Sequence, residues 1–231
     1  MDPGEVLPGQ EDFRELIRNG DVSDDALRFL EGKFLVPAGI TPPHEDSLAL
    51  LGSIPDCTDK DCLDIGCGTG SIGILLALRG AKSVIGLDWD PKAILTAEQN
   101  AKLHGVDDRY QSILSDVYDG LPSGSKFDVI TANLPFVKVS PTETPLDFVD
   151  SSFVDTNFQS NKMFIKGLKD HLKPGGSVYF AQSNFGNYGD MIAMADACGF
   201  DWKLIGLRPF KEVNPDINFL AFKLTPRPDA P

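Results

Sequence analysis

The chain predicts a doubly wound α/β fold, a mostly parallel seven-stranded Rossmann-like sheet with an antiparallel edge strand and a short helical N-terminal cap. Three observations carry this. Leu63-Asp64-Ile65 is a short apolar strand that runs straight into the glycine-rich turn Gly66-Cys67-Gly68-Thr69-Gly70 and an apolar helix. Strand-like and helix-like segments then alternate for more than a hundred residues, the pattern of βαβ units. The last two strand-like runs have no helix between them, so they must pair antiparallel at one edge.

The elements follow in order. Residues 1–10 read as disordered, and 12–18 and 24–31 as two short helices split by Asn19-Gly20-Asp21. Residues 33–43 read as an extended connector. Thr41 is placed to cap a helix that has Pro42 at its first position and runs to about residue 51. Strand 62–65, helix 71–78, strand 83–87 and helix 91–103 come next, with Asp90 as the cap of the last and Gly105 closing it. Strands 110–114 and 127–132 follow, then an irregular stretch, 134–157. Helix 159–172, strand 177–181, helix 187–198 and strands 202–208 and 217–224 complete the pattern. The organisation is an acidic cap and connector over 1–52, a catalytic domain over 53–225 and a flexible tail over 226–231.

With 231 residues the chain can bury one sizeable α/β core. Its net charge of −13 argues against a sequence-independent grip on nucleic acid and against docking on an anionic membrane. The opening residues are acidic, without the basic start and apolar core of a secretory signal. The apolar run 72–78 falls far short of the roughly 20 residues that cross a bilayer. These features imply a soluble, cytoplasmic protein. The four cysteines show no C-x-x-C spacing and no histidine at a zinc-ligand distance, so they read as free thiols with no metal site.

Two cofactor classes compete for the glycine turn. A dinucleotide would use Gly68-Thr69-Gly70-Ser71-Ile72-Gly73 as G-x-G-x-x-G, with Asp88 twenty residues on. S-adenosyl-L-methionine fits better. Gly66, Cys67, Gly68 and Gly70 let bare backbone approach the methionine moiety, and Asp64 at the strand end can meet its ammonium, directly or through water. Asp88, beside Trp89, ends the second strand and can accept both ribose hydroxyls. Asp116, beside Val117 after the third strand, can accept from the adenine amine. Three carboxylates at three successive strand ends suit a cationic ligand bearing a diol and an amine, and would repel a pyrophosphate.

A second motif follows the fourth strand, Ala132-Asn133-Leu134-Pro135-Phe136. Here the chain resembles the class I methyltransferases that modify planar or exocyclic nitrogen, which carry (Asp/Asn/Ser)-Pro-Pro-(Tyr/Phe/Trp) at this place. It is most similar to the glutamine-side-chain methyltransferases of release factors and ribosomal protein and the related small-domain enzymes. The resemblance spans about residues 34–224 and includes Lys173-Pro174-Gly175-Gly176. It departs at Leu134, where the family has proline. It implies that Asn133 Oδ1 and the Leu134 carbonyl accept hydrogen bonds from the acceptor NH2, that Pro135 stiffens the turn and that Phe136 offers a ring face. Asn133 also borders the cofactor.

The resulting expectation is an S-adenosylmethionine-dependent N-methyltransferase. With few bases to meet RNA and no full N-terminal helical domain to grip a protein, a small metabolite such as a heterocycle or amide is the first substrate expected, and a protein glutamine the second. An NAD-dependent oxidoreductase is the competing enzyme class, and a non-catalytic partner that keeps the cofactor fold is a third. The acidic stretch 137–157, with Phe148 and Phe153, reads as a substrate cover. His104 and His171 read as helix-end residues, and His44 as a connector residue that can face the cleft.

Overall fold

The computed structural model describes residues 33–139, 154–209 and 216–228. The expected helices at 12–18 and 24–31, and most of the 137–157 cover with Phe148 and Phe153, lie outside the described residues.

Seven strands form one sheet: β1 (Asp61–Ile65), β2 (Ser83–Asp88), β3 (Tyr110–Leu114), β4 (Phe127–Ala132), β7 (Leu172–Ser183), β8 (Phe200–Pro209) and β9 (Asn218–Pro226). Their order is β3-β2-β1-β4-β7-β9-β8. The first five run parallel, and β9 pairs antiparallel with both β7 and β8. A separate parallel pair joins β5 (Val137–Val139) to β6 (Val154–Thr156). The helices are α1 (Glu45–Leu51), α2 (Ser71–Leu78), α3 (Pro91–Leu103), α4 (Gln159–His171) and α5 (Tyr188–Ala197).

Both faces of the central strands are covered, which explains their continuous apolar reading. Alternate residues of one strand go to opposite cores. Cys62, Val129 and Tyr179 pack among the residues of α2 and α3, whereas Leu63, Ile130 and Phe180 pack with α4 and α5. Each such fully buried aliphatic or phenyl side chain contributes about 1.5–3 kcal/mol.

Several boundaries differ from expectation. The first helix begins at Glu45 with His44 at its N-cap and no side-chain cap bond, three residues beyond Pro42. Pro43 disfavours helical backbone at Pro42, and Pro42 does the same at Thr41, so the helix cannot start before the second proline. Strand β7 is longer than the apolar run 177–181, because Leu172 pairs with Phe127 ahead of a register shift that lets residues 173–176 bulge out. The last strand runs on through Pro226, and Arg227 donates from its backbone to Gly199 O (2.9 Å) and from Nε to Asp201 Oδ1 (3.1 Å). The tail thus leaves the sheet later than position 226. Asp90 caps α3 as expected, accepting from Lys92 N at 2.8 Å.

The two histidines stand at helix ends as expected, His104 as the C-cap of α3 and His171 as the last residue of α4, and both also pack against neighbouring rings. His104 is 2% exposed, with Nε2 3.1 Å from Lys33 O and its ring 4.5 Å from Phe34. His171 stacks on Tyr118 at 4.4 Å.

Candidate active site

The strand order reverses direction between β1 and β4, and the crevice opens at the carboxyl ends of those strands, where open α/β sheets bind their ligands. In register, Asp64 lies opposite Thr131 and Ile65 opposite Ala132. The glycine turn after β1 and the Asn133–Phe136 turn after β4 are therefore neighbours. Two donors, Gly66 N and Cys67 N, hold the glycine turn to Leu87 O at 2.8 and 2.9 Å.

Gly66 and Gly68 have φ of +73° and +54°, in the left-handed region where glycine is favoured. A Cβ on Gly66 would stand 3.1 Å from Leu134 Cδ2 and 3.5 Å from Asn133 O, so the two turns meet across a missing side chain. A Cβ on Gly68 would meet nothing within 4 Å and would project into open space over bare backbone.

The cleft has a volume of about 1020 Å³. That is at the upper end of the roughly 300–1,000 Å³ typical of one drug-sized ligand. Gly66, Cys67, Gly68, Asp88, Trp89, Asp116, Val117, Asn133, Leu134, Pro135 and Phe136 all line it, as does His44. Asp46, Asp88, Asp90 and Asp116 stand on its wall, and among the described residues no Lys or Arg does.

Two of the residues expected at the cofactor, Asp64 and Gly70, do not line the cleft. Asp64 is only 1% exposed and is not on the cleft wall. Its Oδ2 accepts from Gly73 N (3.0 Å) and its Oδ1 from Thr131 Oγ1 (2.8 Å), so it braces the turn from beneath instead of reaching an ammonium directly. Burial pushes its carboxyl up to about 7, against those two hydrogen bonds. Gly70 faces away from the cleft, where a Cβ would lie 3.0 Å from both Ala97 Cβ and Ile74 Cδ1. It is a glycine for its left-handed backbone (φ +80°) at the N-cap of α2 and for the packing of α2 on α3.

Asp88 stands on the cleft wall with its carboxylate already oriented. Oδ2 accepts from Gly68 N (2.9 Å) and Oδ1 from Asp90 N (3.0 Å). Burial raises its pKa and those backbone donors oppose the rise. Each oxygen keeps a further lone pair for a ligand hydroxyl. Trp89 is 77% exposed at the rim. Val117 has φ +52°, rare for a β-branched residue, and turns the chain so that both it and Asp116 border the cleft.

Two groups the sequence did not single out secure the second motif. On α1, Asp46 Oδ2 accepts from Asn133 Nδ2 at 2.9 Å. On α4, Asn161 Nδ2 donates to Pro135 O at 2.6 Å and to Asp155 Oδ2 at 2.8 Å. Asp155 also accepts from the backbone N–H of Gln159, Ser160 and Asn161, so it caps the start of α4. Phe136 is 1% exposed, packed edge-on to Phe185 at 5.3 Å. Its carbonyl accepts from Asn187 N at 2.9 Å. Asn100, fully buried in α3, accepts from Leu35 N (2.7 Å) and donates to Thr69 O (2.8 Å), tying the connector to the glycine turn. Nothing in the local sequence marks Asp46, Asn100 or Asn161, because each works across more than twenty residues.

Glycine turn, acidic strand ends and polar turn after β4 define a methyltransferase that uses S-adenosylmethionine. The donor set fits that cofactor, since the acidic wall, without bases among the described residues, suits a sulfonium nucleoside and opposes a pyrophosphate. Residues 58–201 match the family model described as a methyltransferase domain, and the chain belongs to this family. A Methanocaldococcus jannaschii protein named a protein N5-glutamine methyltransferase is 35% identical over 161 residues, 68% of this chain and 79% of its own length. The Haemophilus influenzae ribosomal protein L11 methyltransferase is 47% identical over 79 residues, 34% of this chain and only 26% of its own length. Among solved structures, a T. thermophilus 16S rRNA methyltransferase in complex with AdoMet and guanosine superposes with a TM-score of 0.60 at 22% identity, covering 82% of this chain and 44% of that one. Among the described residues, no helix is long and apolar enough to cross a membrane.

Proposed function

We propose that the protein methylates the side-chain amide nitrogen of a glutamine in a protein substrate. The carrying observation is the polar turn after β4, whose Asn133 amide is pinned by Asp46 at the wall of the cofactor cleft. The M. jannaschii relative, matched over most of its length, supports the glutamine acceptor over the small metabolite that composition first suggested. An acidic wall with no Lys or Arg among the described residues suits a neutral amide better than a phosphate backbone.

In this reading Gly66, Cys67, Gly68, Asp88, Trp89, Asp116 and Val117 hold the cofactor, with Asp88 on the ribose. Bound there, S-adenosylmethionine supplies an electrophilic methyl carbon. The protein's own part is positioning. Asn133 Oδ1 and the Leu134 carbonyl accept the two amide hydrogens, which draws the nitrogen out of conjugation and turns its lone pair along the cleft. As the nitrogen gains positive charge, these dipoles stabilise it, while the buried Phe136 ring, packed on Phe185 and Phe219, anchors the turn that carries them instead of offering the ring face first expected. No strong base is needed, because the surplus proton leaves to water afterwards. Pro135, held through its carbonyl by Asn161, supplies the stiffness that Leu134 lacks as a replacement for proline.

The test is incubation of the protein with methyl-labelled cofactor and a cell extract. Label is expected in protease-sensitive, nuclease-resistant precipitate, as a one-methyl mass gain on glutamine. Label that is nuclease-sensitive, or confined to small molecules, overturns the proposal. Asn133→Ala should lower that incorporation by about 10²-fold, the scale of losing one preorganised dipole at the reacting centre, with cofactor affinity nearly unchanged.

A further inference from the structure

We infer that Asp46 is a positioning residue that fixes the polarity of the acceptor clamp, making it select a nitrogen that brings hydrogens. This rests on the reading of Asn133 given above and deepens it.

An asparagine side chain presents either an acceptor or two donors, depending on which way the amide is turned. A carboxylate can only accept. Asp46 Oδ2 lies 2.9 Å from Asn133 Nδ2 and therefore fixes the NH2 end toward α1, which leaves Oδ1 to face the other way. The Ser47 hydroxyl, 3.4 Å from the same nitrogen, reinforces this. Asp46 is itself held, since its Oδ1 accepts from Ser47 N at 2.6 Å. Both Asp46 and Ser47 are buried, at 6% and 4% exposure, and both border the cleft. All of α1 is buried, so the carboxylate sits on a rigid mount.

Two consequences follow. Without Asp46 the Asn133 amide can turn over and offer N–H to a group that also carries N–H, which repels it. With Asp46 in place, a negative charge stands one side chain behind the acceptor oxygen and strengthens its pull on a nitrogen gaining positive charge. The clamp thereby favours an NH2 or ammonium over a hydroxyl or an aprotic ring nitrogen.

The experiment needs no identified acceptor. Sinefungin, the cofactor analogue that carries an amine-bearing carbon in place of the methylated sulfur, projects an ammonium toward the clamp; S-adenosylhomocysteine has nothing there. Titration calorimetry of both ligands gives a preference ratio for wild type, Asp46→Ala, Asp46→Asn and Asn133→Ala. Wild type is expected to prefer sinefungin by about tenfold or more, the scale of one charge-assisted hydrogen bond. Asp46→Ala should bring the ratio near one while S-adenosylhomocysteine binds as in wild type. Asp46→Asn keeps an oxygen for Asn133 Nδ2 and should restore part of the ratio; it also serves if the alanine variant fails to fold. A wild-type ratio in both Asp46 variants, with Asn133→Ala abolishing it, overturns the role of Asp46. A ratio near one in wild type, or one that Asn133→Ala leaves intact, sinks the clamp reading beneath it.

Discussion

The two ends of the sheet carry carboxylates in opposite settings. At the amino ends of β1 and β4, Asp61 and Asp128 share one lysine: Lys173 Nζ is 2.5 Å from Asp61 Oδ2 and 2.9 Å from Asp128 Oδ2. Lys173 and Ser83 hydrogen bonds hold the Asp61 carboxyl below the usual range. Burial works to raise Asp128, but Lys173 and the Asp61 N–H override it. At the carboxyl ends, Asp64 and Asp88 are raised by burial and have backbone and hydroxyl donors for partners. The base neutralises its acids to join strands, whereas at the rim Asp88 has no basic partner among the described residues, a charge that a cationic ligand can offset. Perturbed carboxylates gather where a ligand is to supply the missing charge.

The largest expected effect is at the rim. Asp88→Ala removes the oriented acceptor and strands the Gly68 and Asp90 N–H groups, so S-adenosylhomocysteine affinity should fall by roughly 2–3 kcal/mol, about 10²-fold. Calorimetry returning wild-type affinity would remove Asp88 from the ribose site and weaken the contrast between the two ends.

Asp64→Asn sharpens the contrast through pH. With a folded-state pKa near 7 against an ordinary 3.8, Asp64 keeps its proton in the folded protein after the unfolded chain has lost it. Its contribution to stability therefore falls as pH rises from about 4 to 7, by up to roughly 1.4 kcal/mol per pH unit. Asparagine fits the same site, since Thr131 Oγ1 can turn its hydrogen to Leu63 O at 3.2 Å and accept from the new NH2. The variant should gain stability relative to wild type between pH 5 and pH 8 in urea titrations. Equal pH slopes would mean that Asp64 is ionised throughout.

How far the sequence foretold this depends on the range of the signal. The glycine turn, the acids at the ends of β2 and β3, and the Asn133–Phe136 turn each sit within a few residues of a strand end, and all of these face the cleft. Asp64 and Gly70 share that local signature yet serve the turn and the helix packing, because only the pleat and the pitch of α2 decide which side they face. Asp46, Asn161 and Asn100 gave no local sign at all, being brought to the site by helices packed from elsewhere. The start of α1 differs from the sequence expectation for a local reason, the paired prolines Pro42 and Pro43.

The smallest effect belongs to the base. Lys173→Met leaves Asp61 and Asp128 facing each other across β1 and β4, with Asp61 N still donating to Asp128 Oδ2 at 2.9 Å. These side chains are 25–31% exposed, so water screens much of the repulsion. The loss should be about 1 kcal/mol at pH 7, or a melting temperature lower by roughly 2–4 °C. Both carboxyls are lowered, so the stability they give is present above their ordinary pKa and vanishes as pH falls; wild type and variant should converge near pH 3. High salt should also narrow the gap. S-adenosylhomocysteine affinity should stay at the wild-type value, since the base lies a full strand length from the cleft. A tenfold change in that affinity would join the two ends into one electrostatic system and undo the division of labour between them.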